Sequence, residues 1–217
     1  MVRMKKRSWL SLLGAELIVV GLIIVSLTFY PVVLVELRYR LSGPVKAVAS
    51  LREQPVAGKN VIFPVDENFG IVIPKIDANA KVIPNVDPYN SQEYQVALTK
   101  GVAQARGTRT PDEVGNLFIF SHSSANFYEA TVYNSVFYLL DKLKAGDEID
   151  VFYKKTKYVY LVTAKKIVLP SDVSYLSGVG TKKTLTLMTC WPAGTTFRRL
   201  LVIAEQQPQA SPLFQGK

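Results

Sequence analysis

A single cysteine, a single histidine and a pair of adjacent arginines are the side chains of this 217-residue chain whose types could do chemistry together. Cys190 closes the run TLTLMTC, just before the turn Trp191-Pro192-Ala193-Gly194. His122 closes the run NLFIFSH, just before the polar start Ser123-Ser124-Ala125-Asn126. Both fall where an apolar strand-like segment gives way to a loop, and such ends are where a rigid scaffold can hold a reactive group against a substrate. Arg198 and Arg199 follow the cysteine by 8 and 9 positions, so a hairpin across WPAGTTF returns one of the two guanidiniums to the thiol. In such a set a thiolate attacks a carbonyl, an imidazolium protonates the leaving group, and a guanidinium favours the thiolate and stabilises an oxyanion. Each residue also has a plainer reading taken alone: a buried filler cysteine, a satisfied structural histidine, a solvated strand end.

Composition removes several other chemistries. One cysteine allows no intramolecular disulfide, and one cysteine with one histidine cannot build a cysteine and histidine zinc site, so neither metal nor cofactor is expected. The net charge of +9 owes four to the first seven residues, MVRMKKR, which leaves a mild +5 for the rest. No run of Lys and Arg with interleaved aromatics occurs, so nucleic acid is not an expected partner, and an anionic membrane or cell-wall surface suffices to rationalise the charge.

The elements that must position these residues begin with an anchor. Residues 9–30, WLSLLGAELIVVGLIIVSLTFY, contain Glu16 as their one ionisable side chain. A helix of that length covers roughly 33 Å, about the thickness of the hydrocarbon core of a bilayer. Trp9, Phe29 and Tyr30 fall at its two interfaces, and the apolar run continues through Val35 without a small-residue cleavage site. The expectation is one uncleaved N-terminal transmembrane helix over 9–35, with a cytoplasmic tail at 1–8 and everything beyond it outside the cell membrane. Residues 36–68 mix charges, Gly and Pro without lasting periodicity and read as a linker or stalk.

From Phe69 the texture becomes mostly β. GIVIPKI, AKVIP, NLFIFSH, EIDVFYKK, KYVYLVTAKKIVL, KTLTLMTC and RRLLVIAEQ are rich in residues that fit a pleated, half-buried surface. VFYKKTKYVYLV reads as a hairpin turning at Lys155, Thr156 and Lys157. SQEYQVALTKGV and YNSVFYLLDKLKAGD show helical spacing instead, so the expected fold is a closed β-barrel with one or two short helices over 69–207, followed by a loose tail at 208–217.

TLMTC fits the TLxTC motif of the sortases, membrane-anchored cysteine transpeptidases of bacterial surfaces, and its Cys190 matches their nucleophile. Arg199, in RLLV, matches their arginine better than Arg198 does, and NLFIFSH resembles the strand ending in their catalytic histidine, here His122. GIVIPKI looks like the family's first barrel strand, ALTKGVAQARGT resembles the stretch leading to the histidine, and FYLLDKLKAGDEI is similar to the segment feeding the next strand. These pieces cover 69–205 in the family's order. Ser121 stands where the family often has Gly. Asp87-Pro88-Tyr89 resembles the lid motif of pilin-assembling sortases but follows the first barrel strand instead of preceding it, and reads as an ordinary turn.

The resemblance implies cleavage of an LPxTG-like sorting signal at the C-terminus of a secreted protein, through a thioacyl intermediate on Cys190. Transfer follows to an amine of a cell-wall precursor or of another protein. No Asp or Asn announces itself by spacing as an orienter of His122. A cysteine and a histidine of ordinary acidity are jointly thiolate and imidazolium in about one molecule in a hundred at pH 7, so slow turnover is expected. Two other classes compete with this one: a membrane-anchored hydrolytic cysteine protease with the same dyad, and a membrane-tethered β-barrel binding module whose cysteine is inert.

Overall fold

The computed structural model describes residues 9–42, 62–123 and 136–208. The expected tail at 1–8, the stalk from 43 to 61, the loop from Ser124 to 135 and the chain beyond 208 lie outside the described residues. Two units separate by internal contacts, Met1–Gly43 and Pro44–Lys217.

The first unit is a helix, α1 (Trp9–Ser42), of 34 residues. It continues past the expected end of the apolar span, through Glu36 and Arg38, and stops ahead of Gly43 and Pro44, a pair unsuited to continuing a helix. Among the described residues no helix is long and apolar enough to cross a membrane. The uninterrupted helical stretch whose side chains are described, 12–27, is shorter than a span, and its leucines, isoleucines and valines are exposed.

Among the described residues, the second unit has eight strands: β1 (Phe69–Ile73), β2 (Ala78–Val86), β3 (Val102–Ala105), β4 (Gly115–Phe120), β5 (Glu148–Tyr153), β6 (Thr156–Val168), β7 (Lys183–Trp191) and β8 (Arg198–Gln206). They close into a barrel in the order β1-β2-β3-β4-β7-β8-β6-β5. The pairs β2 with β3 and β4 with β7 are parallel, the others antiparallel. Every strand-like run read from the sequence lands in a strand. The barrel is filled from both sides by apolar residues at alternate positions, among them Ile71, Val82, Leu117, Ile119, Ile149, Val151, Leu185, Leu187 and Val202.

One of the two expected helices forms: α2 (Ser91–Leu98), in the connection between the parallel strands β2 and β3. The Asn90 side chain caps it by accepting from the Glu93 amide at 3.2 Å. Asp87, Pro88 and Tyr89 make the turn that leads into it, closed by the Asn90 amide on the Asp87 carbonyl. Arg106 pairs with both Asp87 (3.0 Å) and Glu93 (2.7 Å), fastening the start of α2 to the end of β3.

Three expectations need correction. The described part of YNSVFYLLDKLKAGD is a series of tight turns with a 3-10 turn at Leu140–Lys142 instead of an α-helix. Its fully buried residues are Phe137, Leu140 and Leu143, a spacing of three, and its backbone bonds run from each amide to the carbonyl three residues earlier. That is the 3-10 period, which keeps a single file of side chains against the barrel. The β5–β6 hairpin turns at Lys154 and Lys155, with φ of 50° and 62°, while Thr156 and Lys157 already belong to β6. Two positive φ values give the turn the hand that matches strand twist, and both lysine amides bond to carbonyls of Asn68 and Glu67. Those last two residues lie in the segment read as stalk, and so do Phe63, Val65 and Asp66, which are tied to β2 through Asn79 and by an Asp66–Lys81 ion pair at 2.9 Å.

A second apolar cluster lies outside the barrel. Ala97 and Leu98 of α2 pack with Val86, Ala103, Ala105, Phe118 and Phe120, and Tyr94, Tyr175, Leu176 and Met188 adjoin them. Strand alternation puts Phe118 and Phe120 on the face opposite to Leu117 and Ile119, so this outer face of β4 is roofed by α2 and by the turn Ser174–Leu176.

Candidate active site

The outer face continues beyond that roof to the reactive residues. On β7, Thr186, Met188 and Cys190 share it, while Leu185, Leu187 and Thr189 point into the barrel. On β4 the same alternation runs Phe118, Phe120 and, past the strand's end, His122. The parallel register pairs Phe118 with Thr186 and Phe120 with Met188, so two residues further on it sets His122 beside Cys190. Hydrogen bonds hold that register past the strand's end: the Ser121 amide donates to the Met188 carbonyl at 3.1 Å, and the buried Thr189 hydroxyl donates to the Ser121 carbonyl at 3.0 Å.

On the other flank, β8 pairs Cys190 with Arg199 and Trp191 with Arg198. Directly opposite residues of an antiparallel pair share a face, so Arg199 lies on the face of the thiol and the exposed Arg198 on the other. Cys190 on β7 and Arg199 on β8 are thus directly opposite, and His122, two residues past the end of β4, completes a row with them along the same face. All three are half-buried.

Arg199 is held by its own hairpin. Its Nη1 donates to the carbonyls of Thr196 (3.0 Å) and Arg198 (3.1 Å), while Nε and Nη2 make no hydrogen bond among the described residues. The connection it grips turns tightly at Pro192, Ala193, Gly194 and Thr195: the Thr195 amide bonds back to Pro192, and Gly194 takes the φ of 81° that this turn requires. A guanidinium fixed at one nitrogen, with donors left over, is suited to receive an oxyanion or a peptide carbonyl.

The histidine has a partner that spacing did not reveal. Nε2 of His122 lies 3.2 Å from Oε1 of Gln95, on α2. Gln95 is 27 residues away on the polar side of a helix, and nothing in that pattern distinguishes it from an ordinary solvated glutamine.

The connection between β6 and β7 packs on the same outer cluster, and Asn116 fastens it. The buried Asn116 side chain donates to the carbonyls of Tyr175 (3.0 Å) and Ser177 (3.5 Å) and accepts from Thr184 and Thr186 of β7. Gly115 and Gly178 let the backbones touch: a methyl group on Gly178 would stand 2.6 Å from the Gly107 carbonyl oxygen. Among the described residues no cluster of His, Cys, Asp and Glu could hold a metal ion.

The arrangement places a thiol opposite a guanidinium, with an imidazole at the end of the neighbouring strand. Residues 71–207 match the model of the sortase domain. Sortase D of Bacillus subtilis (strain 168) is 27% identical over 120 residues, 55% of this chain, and the chain spans about half (52%) of that relative. Sortase C-1 of Actinomyces oris is 28% identical with a TM-score of 0.56, covering 67% of this chain and 75% of its own. A lid mutant of sortase A from Corynebacterium diphtheriae is also 28% identical, with a TM-score of 0.55 over 68% of this chain and 73% of its own. With the family's domain model matched over residues 71–207, more than half of the chain, the chain belongs to the sortase family.

Proposed function

We propose that this protein is a membrane-anchored transpeptidase that cleaves an LPxTG-like sorting signal near the C-terminus of a secreted protein and passes the acyl group to an amine. The observation that supports the reading is the pairing of Cys190 with Arg199 across β7 and β8, with His122 two residues past the end of the neighbouring β4. The Cys190 thiolate attacks the scissile carbonyl, and Arg199 receives the charge that develops on its oxygen. The peptide C–N bond breaks as the imidazolium of His122 gives its proton to the leaving amine, which leaves a thioester on Cys190. An incoming amine, from a cell-wall precursor or a protein lysine, attacks the thioester. Neutral His122 takes its proton, and the thiolate departs.

The anchor belongs to the same proposal. Residues 9–35 cross the cell membrane once, with the N-terminus in the cytoplasm and the barrel outside. Support comes from the basic residues ahead of α1 and from its apolar side chains, which are exposed on every side of the described stretch, as in a helix solvated by lipid.

The test is a fluorogenic sorting-signal peptide incubated with the full-length protein, with and without an added amine. Wild type is expected to release the C-terminal fragment and, with amine present, to form the amide product. Cys190→Ala is expected to do neither. Cleavage yielding only the free acid, whatever the amine, would make the protein a hydrolase. Unchanged cleavage by Cys190→Ala would remove the nucleophile.

A further inference from the structure

We infer that Gln95 is a positioning residue for His122, selecting which ring nitrogen carries the proton when the ring is neutral. The inference rests on the transpeptidase reading for its consequence and on the geometry of α2 for its cause. Oε1 of a carboxamide can only accept, so at 3.2 Å from Nε2 it calls for a proton on that nitrogen. Neutral His122 is then the Nε2–H tautomer, and Nδ1 is the nitrogen that takes up and returns the catalytic proton. The imidazolium carries a proton on Nε2 as well, and a charged donor strengthens the bond, so Gln95 also favours the protonated ring.

The helix that presents Gln95 is fixed on both flanks. Ala97 and Leu98 are buried against the cluster beneath, and Tyr94 meets Phe120 edge to face at 6.4 Å between centroids. The first turn is capped by Asn90 and clasped by Arg106. Phe120 lies two residues before His122, so the side chain that seats the helix and the ring that its glutamine addresses belong to the same face of β4. Gln95 itself is exposed, with no packing role to explain its bond to His122. Glu93, the carboxylate of the same helix, is occupied by Arg106 and by the Asp87 amide, and Cys190 with Arg199 opposite it stand on the neighbouring strands.

His122 is the only histidine of the chain, so histidine labelled with 13C and 15N gives one imidazole signal. The experiment uses the full-length protein in detergent micelles, purified without a histidine tag. Nitrogen-detected spectra of the neutral ring are expected to show a protonated Nε2 and a bare Nδ1 in the wild type, and a mixture of tautomers in Gln95→Ala. The kcat/KM of Gln95→Ala is expected to fall about tenfold, the scale of one lost hydrogen bond to a charged group, with Tm unchanged. Its acid limb in the pH–rate profile should move to lower pH, whereas in Gln95→Glu, which places a carboxylate at the ring, it should move up by about one pH unit. A wild-type neutral ring protonated on Nδ1, or a tautomer unaltered in Gln95→Ala, overturns the assignment. If the spectra change as expected but no sorting-signal peptide is processed by any variant, the positioning stands and the proposed function fails.

Discussion

At the scale of single residues, the strand register separates two arginines that sequence leaves side by side. Arg199 faces the thiol across one pair of the β7–β8 ladder, and Arg198 faces Trp191 on the other side of the sheet. Arg199→Ala is therefore expected to lower kcat/KM by about a hundredfold or more, the cost of removing an oxyanion donor. Arg198→Ala should stay within a few-fold of wild type in the same peptide assay, and a larger effect of Arg198→Ala would reverse the roles. Lysine at 199 keeps the charge but not the fork, and its one terminal nitrogen cannot both hold the Thr196 carbonyl and meet the substrate in that geometry, so Arg199→Lys is expected to recover little. Cys190 and His122 stand out in the sequence because each is the one residue of its type and follows an apolar run, and the arginine pair because of its distance from the cysteine. Gln95 does not, because its meaning comes from a helix crossing over β4, and that contact leaves no local pattern.

At the scale of elements, seven of the eight strands announce themselves by Val, Ile, Tyr, Phe and Thr, and β3 does not. Its sequence, VAQA, offers two alanines and a glutamine, and what makes it a strand is enclosure between β2 and β4 beneath α2. The segment with Phe137, Leu140 and Leu143 was misread for a related reason. Apolar residues three apart fit one face of an α-helix almost as well as a 3-10 turn, and the barrel surface beneath them decides between the two. The connection between β6 and β7 shows how closely the elements pack. It is pressed so closely on the 107–109 turn that Gly178→Ala would drive a methyl group into the Gly107 carbonyl and the Thr108 backbone, at 2.6 and 3.0 Å. Backbone must then move. The expected result is a loss of about 1–3 kcal/mol in thermal unfolding. An unchanged Tm would show that the connection yields freely.

At the scale of the whole molecule, one buried carboxyl ties stability to pH. Asp150 lies in β5 between Val72 and Val159, with one oxygen 2.7 Å from the Lys157 ammonium and the other without a hydrogen-bond partner among the described residues. Burial pushes this carboxyl up to about 7; Lys157 offsets part of the rise and Glu148 adds to it. A carboxyl that holds its proton more tightly folded than unfolded favours the fold at low pH. That contribution is present below about 4 and is lost as the pH climbs through about 7. Asp150→Asn keeps the neutral form at every pH. It is expected to match the wild type in Tm near pH 4.5 and to exceed it by several degrees at pH 8, and a gap independent of pH would exclude the titration of Asp150 as its cause.

The closure of the sheet carries a further consequence for the peptide this protein is proposed to hold. Many proteins that grip extended chains let them join an open sheet margin, so that backbone amides and carbonyls supply affinity whatever the sequence. Among the described residues, a ring of eight strands, each bonded on both sides, has no such margin to lend. A guest lying across β4, β7 and β8 meets side chains and loop carbonyls instead. Discrimination among guests then falls to the shape and charge of a few residues on the outer wall, which loop changes can alter while the barrel beneath stays the same.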